Sequence, residues 1–455
     1  MYARVTVILI ILATAAMWAA TIRPADGFAV GIGRYRVEVL AVNVLATYLA
    51  LLLCYVVLGR RSWKIRAARA VLSLSAILVA LLLVELPAAL GLVDYREVLY
   101  PRLASLEGPD QVQRDPELVF RHPGHGRFEH EVTVQPDDPP APKDAPAGRQ
   151  RKVVYRYDRN GFRNPHDLRQ ADVILIGDSF VEGFAVAEER TCSAQLARLL
   201  DVEVANLGHD DYGPPQELIV LRKFGLPLRP RVVVWFFFEG NDLLDLADFE
   251  IALGGWRRWL TRGEGFAARC FCLNALERVD LFLEAFRWRD CGLRRKRSAR
   301  LLPEIRDDDV TMQFGEHYGF GAAELSPYEL GLLPKAQEVL AEAKAVCDRS
   351  DVRLLVVCVP TKFRVYRDLC MAPEDSQPEG WHVSDLPDRL ARWCRAAGIE
   401  YVDLTAALQS AARQGPLVYF VDDGHWSPEG HRVVAEAIAE QIRQSGWLES
   451  GGQRE

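Results

Sequence analysis

At 455 residues the chain exceeds what one hydrophobic core usually organises, so two or more units are expected. Hydrophobic residues make up 49% of it, crowded into the first 95 positions, and the formal net charge of −7 offers no basic footprint for nucleic acid. Nucleic acid is therefore not expected as a partner.

In chain order, the first elements are three apolar stretches, residues 5–22, 37–58 and 71–93. Each comes near the roughly 20 residues that cross a bilayer as a helix. Residues 1–95 are read as a transmembrane anchor. The loop between the second and third stretches carries Arg60, Arg61, Lys64, Arg66 and Arg69 with no acid, which places it in the cytoplasm and everything after Asp94 outside. The first stretch also has the form of a signal peptide, and its cleavage would leave that placement unchanged. Glu85 is the one ionisable residue well inside a span; beside Pro87 it reads as snorkelling or paired with another helix.

Residues 96–170 form a connector. Segments 127–134 and 152–157 partly alternate as half-buried strands do, and the proline-rich run between them reads as a disordered hairpin tip. From residue 171 short apolar strands at 173–177, 202–207, 232–238, 352–360 and 401–404 alternate with helices near 190–200, 215–224, 334–348 and 385–397. Near-continuous apolar strands between helices imply an α/β fold, a three-layer parallel sheet buried on both faces. The connection 243–333 is too long for a crossover and reads as a helical insertion; its basic run Arg294–Arg297 is a solvated face or touches lipid headgroups. The last helix opens with Ser427 and Pro428, a good cap and first position. The nine cysteines show no metal-ligand spacing. Cys54 and Cys358 read as reduced core residues, while Cys270, Cys272, Cys291, Cys347, Cys370 and Cys394 are candidates for disulfides.

In an open parallel sheet ligands bind beyond the carboxyl ends of the strands. There the chain places Gly177-Asp178-Ser179, then Gly208 to Gly213, then Glu239-Gly240-Asn241-Asp242, then Thr361 to Arg364, and last Asp422-Asp423-Gly424-His425. A hydroxyl, an imidazole and a carboxylate together make a serine nucleophile, and an oxyanion needs donors aimed at it. Ser179 is the expected nucleophile, His425 the base and Asp422 the orienting acid. Backbone N–H groups of Ser179 and of the 208–213 loop, with the Asn241 amide, are the expected oxyanion donors.

These blocks resemble the SGNH/GDSL hydrolases over roughly residues 171–445. Gly177-Asp178-Ser179 is similar to the family's nucleophile block, Gly240-Asn241-Asp242 to its asparagine block and Asp422-x-x-His425 to its terminal block. Relatives with an Asp two residues before the His make Asp423 the alternative acid, and the family's second block, counted from Asn206, implies Gly208 or Asp211 as the third oxyanion donor. The resemblance implies a flavodoxin-like α/β/α domain over 171–447. It also implies a serine esterase or acyltransferase working through an acyl-enzyme on acetyl or other acyl esters of carbohydrate or lipid. An envelope polysaccharide machinery is an implied partner, and neither metal nor organic cofactor is implied. Asp211 departs from the family pattern, which keeps open a catalytically silent carbohydrate-binding or scaffold subunit. The α/β-hydrolase elbow is disfavoured because Ser179 is followed by Phe180 and Val181. His431 reads as a surface or packing residue, His209 and Asp210 as near the rim by position only, and Lys362 and Arg364 as solvated or pocket-lining.

Overall fold

The computed structural model describes residues 2–22, 37–99, 112–133, 150–253, 265–279, 299–304, 310–314, 324–371 and 381–448. The proline-rich tip and Arg294–Arg297 lie outside them. The chain divides into two units: Met1–Ser105 with Gly254–Leu293, and Leu106–Leu253 with Arg294–Glu455.

The first unit holds α1 (Tyr2–Thr21), α2 (Val37–Leu58) and α3 (Trp63–Ala89), all long and apolar enough to cross a membrane. Most of their large apolar side chains are exposed, as helices that face lipid require. α3 starts earlier than the hydropathy suggests. Lys64, Arg66 and Arg69 lie on its first turns, leaving only the turn around Gly59–Ser62 between spans, because nothing after Ser62 breaks a helix before Pro87. Polar contacts join the spans, with Asn43 Nδ2 donating to Thr21 Oγ1 at 2.8 Å and Tyr48 meeting Ser73 at 2.6 Å. Glu85 accepts the backbone N–H groups of Phe271 and Cys272 at 2.8 and 2.7 Å. Those residues open the helical stretch 271–279, so Glu85 of α3 caps that helix, where the dipole favours a negative charge.

The second unit begins with two antiparallel pairs. β1 (Gln113–Asp115) pairs with β2 (Val119–Arg121), and β3 (Arg127–Thr133) with β4 (Gln150–Arg156). On the second pair Val132, Val153 and Tyr155 pack inward with Tyr157, Ala185, Val186 and Phe420. The connector from Leu106 onward thus belongs to the second unit, and its residues 96–105 to the first.

The main sheet is parallel, built from β5 (Val173–Gly177), β6 (Val204–Gly208), β7 (Val232–Phe238), β10 (Arg353–Val359) and β12 (Glu400–Asp403) in the order β6-β5-β7-β10-β12. This is the flavodoxin-like order, with its switch point beside β5. Val173, Leu175, Val232, Val234, Phe236, Leu355 and Val357 pack against Leu196 of the helix Cys192–Leu200 and Val434 and Ile438 of Pro428–Gln444. The alternate residues Ile174, Val233, Trp235, Phe237 and Val356 are equally buried on the opposite face. There Pro327–Arg349 packs with β10, Pro214–Val220 and Asp242–Leu253. Both faces are covered, which is why these strands are apolar without alternation.

The insertion is not purely helical. β8 (Ala299–Pro303), β9 (Met312–Phe314) and β11 (Cys370–Met371) form a small antiparallel sheet, and Leu301, Met312 and Phe314 join the core. The apolar run before Asp422 forms no strand but an isolated bridge, Tyr419 to Trp426. The eight described cysteines are free thiols, so none of the disulfides expected among them is present; Cys291 lies outside the described residues.

Candidate active site

β5 ends at Gly177, and the chain turns at once into a single helical turn, Ser179–Glu182. Asp178 caps it by accepting the N–H of Phe180 at 3.0 Å. Gly183 ends it at φ +85°, where a Cβ would lie 2.7 Å from Thr191 Cγ2, so the turn requires glycine. The buried Arg163 guanidinium donates to the carbonyls of Glu182, Gly183 and Val186 and lies 4.0 Å over the Tyr155 ring. Tyr155 Oη in turn accepts the N–H of Ala185 at 2.6 Å. The turn that carries Ser179 is thereby held by side chains from 155–163, in the connector.

Ser179 Oγ lies 2.7 Å from His425 Nε2, across 246 residues of sequence. His425 sits between Phe180 and Phe184, with ring centroids 4.8 and 4.4 Å away. The carboxylate on its other nitrogen belongs to Asp423, not Asp422. Asp423 Oδ1 accepts from Nδ1 at 2.6 Å and from the His425 backbone N–H at 2.8 Å. This is an Asx turn, in which a carboxylate bonds the amide two residues on, and it sets the two-residue spacing. Asp422 is exposed, and the Nδ1 contact that a three-residue spacing assigned to it is made by Asp423. Burial works to lower the His425 pKa, but the charge and hydrogen bond of Asp423, then Asp210 and Asp178, raise it above its ordinary value. For Asp423 burial acts upward and is outweighed by His425 and Lys362, which hold the carboxyl below its usual range.

Asn241 follows β7, whose parallel pairing with β5 brings both carboxyl ends to the same rim. Its loop is fixed by the buried Glu239, which takes two bonds from Arg364 at 2.7 and 2.6 Å and others from Thr361 and Ser384. Among the described residues the buried Asn241 Oδ1 has no hydrogen-bond partner, and no backbone partner is recorded for the N–H groups of Ser179 and Asp211. Gly208 is not such a donor. Its N–H goes to Asn206 Oδ1 at 3.0 Å, and a Cβ there would lie 2.4 Å from Glu182 N, so this glycine serves close approach. Asp211 has φ +61°. Burial, then Glu182, raises its carboxyl above the usual range, against the pull of His425.

His122, Glu182 and His209 bring ligand atoms within 4.8 Å of one another, the composition of a divalent metal site. The two imidazoles, however, are stacked at 4.2 Å and 18°, within a column running Tyr157, His122, His209, Tyr212. An ion between stacked rings cannot lie in the plane of both, as imidazole ligation demands, so the residues do not fit a metal in this arrangement. Glu182 instead accepts from Tyr157 Oη at 2.8 Å and the Asp210 N–H at 2.7 Å, and faces His122 Nε2 at 3.2 Å. His209 donates from Nδ1 to the Asp210 carbonyl at 2.7 Å and is part of this buried group, not of the serine line. His431 is a packing residue; its Nδ1 accepts the N–H of Cys192 at 3.1 Å. Lys362 is buried, not solvated.

Sequence reasoning missed the hairpin side of the site. His130 of β3 is half-buried and edge-on to Phe184 at 5.1 Å, with burial lowering its pKa against the pull of Asp423. The signal was present in the inward series Phe128, His130, Val132 opposite Val153 and Tyr155, too aromatic for a spacer.

Residues 320–455 match the family model of an SGNH hydrolase-like domain, described as acetyltransferase AlgX. Among curated proteins the chain is similar to probable alginate O-acetylase AlgJ of Pseudomonas aeruginosa, with 37% identity over 105 residues, 22% of this chain and 25% of that one. The Azotobacter vinelandii protein of the same name is 32% identical over 119 residues, 26% and 29% of the two chains. The chain thus spans about a quarter of the length of these relatives. Among solved structures, a lipase/acylhydrolase from Enterococcus faecalis aligns over 60% of this chain and 95% of its own, at 14% identity and a TM-score of 0.31. A GDSL-like lipase from Bacteroides thetaiotaomicron aligns over 60% and 88%, at 13% identity and a TM-score of 0.28.

Proposed function

We propose that this chain, an SGNH hydrolase-like protein, is a membrane-anchored serine esterase or O-acyltransferase acting on acetyl esters of carbohydrate. The observation that carries the reading is the unbroken line Asp423–His425–Ser179, with contacts of 2.6 and 2.7 Å in a buried setting. Ser179 Oγ attacks the ester carbonyl while His425 Nε2 takes its proton, and Asp423 steadies the imidazolium. The carbonyl oxygen becomes an oxyanion facing the N–H groups of Ser179 and Asp211 and the Asn241 amide. His425 then returns the proton to the leaving alcohol. Water or a sugar hydroxyl, deprotonated by the same imidazole, resolves the acyl-enzyme. The alginate O-acetylase name of the relatives supports acetyl as the acyl group and a polysaccharide as its owner or acceptor. The three apolar helices and the basic turn at their cytoplasmic side support a catalytic domain outside the membrane.

The test is turnover of a small acetyl ester by the full-length chain and its Ser179→Ala form. Loss of turnover, together with loss of labelling by a serine-reactive fluorophosphonate, is expected. Equal turnover by both forms refutes the reading.

A further inference from the structure

The stem of the loop that carries Asp423 is anchored: Val418 donates its N–H to Tyr366 Oη at 2.9 Å and accepts from the Ser427 N–H at 3.1 Å, and Tyr419 Oη donates to the Pro360 carbonyl at 2.6 Å. Between Leu417 and Ser427 it makes an isolated bridge, with Phe420 donating its N–H to the His425 carbonyl at 3.0 Å, and no ladder. Asp423 itself is partly exposed, with 24% of its side chain open. Yet the acyl-transfer reading above, on which the present point rests, needs that carboxylate on Nδ1 of His425 to within a fraction of an ångström.

Lys362 lies beneath this loop. It is the first residue of the helix Lys362–Tyr366 that follows β10, and it is only 5% exposed. Its ammonium donates to three backbone carbonyls, Gln313 at 2.6 Å, Val421 at 2.9 Å and Asp423 at 3.2 Å. An ammonium has three donors, so all are used. The ring of Phe314 lies 4.9 Å from Nζ, and the N–H of Gln313 adds a bond to the Val421 carbonyl at 2.7 Å. Two of the three acceptors thus belong to the loop bearing Asp423, and the third to β9 of the insertion. Burying a cation costs several kcal/mol unless strong bonds offset it. Burial pushes the Lys362 pKa down to about 7, while the nearby Asp423, Asp422 and Cys370 favour the charged form.

We infer that Lys362 is a positioning residue that clamps residues 421–423 onto β9 and so keeps Asp423 on the catalytic imidazole. It touches neither substrate nor reacting atoms. Its role is to tie the tip of a loop that has no strand ladder to β9, through carbonyls that any loop sequence would present.

The experiment compares wild type with Lys362→Met, which keeps the stem and removes the donors, in the full-length solubilised chain. With a small acetyl ester, kcat should fall by roughly a hundredfold with little change in KM, the scale of a misplaced catalytic group. The decisive readout is the pKa of His425, from the pH limb of kcat/KM and from NMR titration of its ring. Asp423 raises that pKa, so a carboxylate released from Nδ1 lets it fall. A downward shift supports the clamp. An unchanged or raised pKa overturns it, whatever the loss in kcat, because a packing defect leaves the contact intact and a lost cation alone moves His425 upward. Lys362→Gln, which keeps an amide donor, should give the same direction with a smaller amplitude and serves if the methionine form does not fold. Ser179→Ala is assayed beside them. If it retains wild-type turnover, the acyl-transfer reading has failed and the clamp with it; if it is dead while Lys362→Met is unaltered, the clamp alone has failed.

Discussion

Asp423 holds His425 twice through one oxygen, at the ring Nδ1 and at the backbone N–H. The second bond shapes the turn that makes the first possible, so loop geometry and catalytic geometry are one arrangement. Asp423→Asn should lower kcat by about 10⁴-fold, the effect of losing the charge that fixes the imidazole tautomer. Asp422→Asn should stay within a few-fold of wild type. Steady-state kinetics of the two variants decides between the acids, and the reverse order would return the role to Asp422.

The same contact sets a pH dependence. A base must be neutral to take the Ser179 proton, and the charge of Asp423 raises the pKa of His425 above its ordinary value. Turnover should therefore rise with pH through a limb lying above the ordinary histidine pKa of about 6.5. In Asp423→Asn the residual activity should show that limb at lower pH, since the stabilising charge is gone. A pH profile of kcat/KM for both forms measures it.

Much of this was legible in the chain, and the misses have a common cause. β5 and β7 are where the apolar runs place them because a strand buried on both faces has no other composition. Ser179 and His425 follow from the rim rule once the strands are known. Asp423 was not separable from Asp422, because the choice depends on an Asx turn that a residue count does not encode. Gly208 stood beside Asp211 as a candidate donor because sequence shows that a backbone N–H exists but not that Asn206 Oδ1 takes it. Arg163, Tyr155 and Glu182 were missed for a different reason. Their partners lie far along the chain, and a connector with alternating residues gives no sign of which turn it will embrace.

Glu182 illustrates this class. Burial acts to raise its pKa, but His122 and His209 outweigh it and hold the carboxyl well below its usual range. A depressed folded pKa contributes stability present above the unfolded value and lost as pH falls toward the folded one. Denaturant titrations should show wild type losing stability below pH about 4 more steeply than Glu182→Gln. Near neutral pH, Glu182→Ala should be destabilised by about 3–5 kcal/mol, since it strands the Tyr157 hydroxyl, the Asp210 N–H and His122. Equal stability of wild type and Glu182→Ala would remove this buried group from the support of the nucleophile turn.

Topology gives a separate expectation. The basic residues Arg60, Arg61, Lys64, Arg66 and Arg69 lie between the second and third spans or on the first turns of the third. With that end cytoplasmic, a phosphatase fused after Asp94 should be active, because it folds only outside. Fluorescence from a fusion at that point that requires the cytoplasm would reverse the orientation.

The oxyanion donors can be tested against one another. Asn241 stands at the rim after β7, beside the carboxyl end of β5, and if its amide donates there Asn241→Ala should cost a hundred- to a thousandfold in kcat, as the loss of one such donor does. Asp211 is different, because the donor proposed there is its backbone. The residue sits at φ +61°, a conformation that favours glycine, and burial already holds its carboxyl above the usual range. Asp211→Gly keeps the N–H, removes the acid and relaxes the backbone, so turnover should be retained or rise. Asp211→Pro removes the N–H and should lower it sharply, although proline cannot take a positive φ and the fold must be checked alongside. A folded Asp211→Gly that is inactive, beside an Asn241→Ala that is barely affected, would mean that the carboxyl of Asp211 contacts substrate and that the oxyanion is stabilised elsewhere.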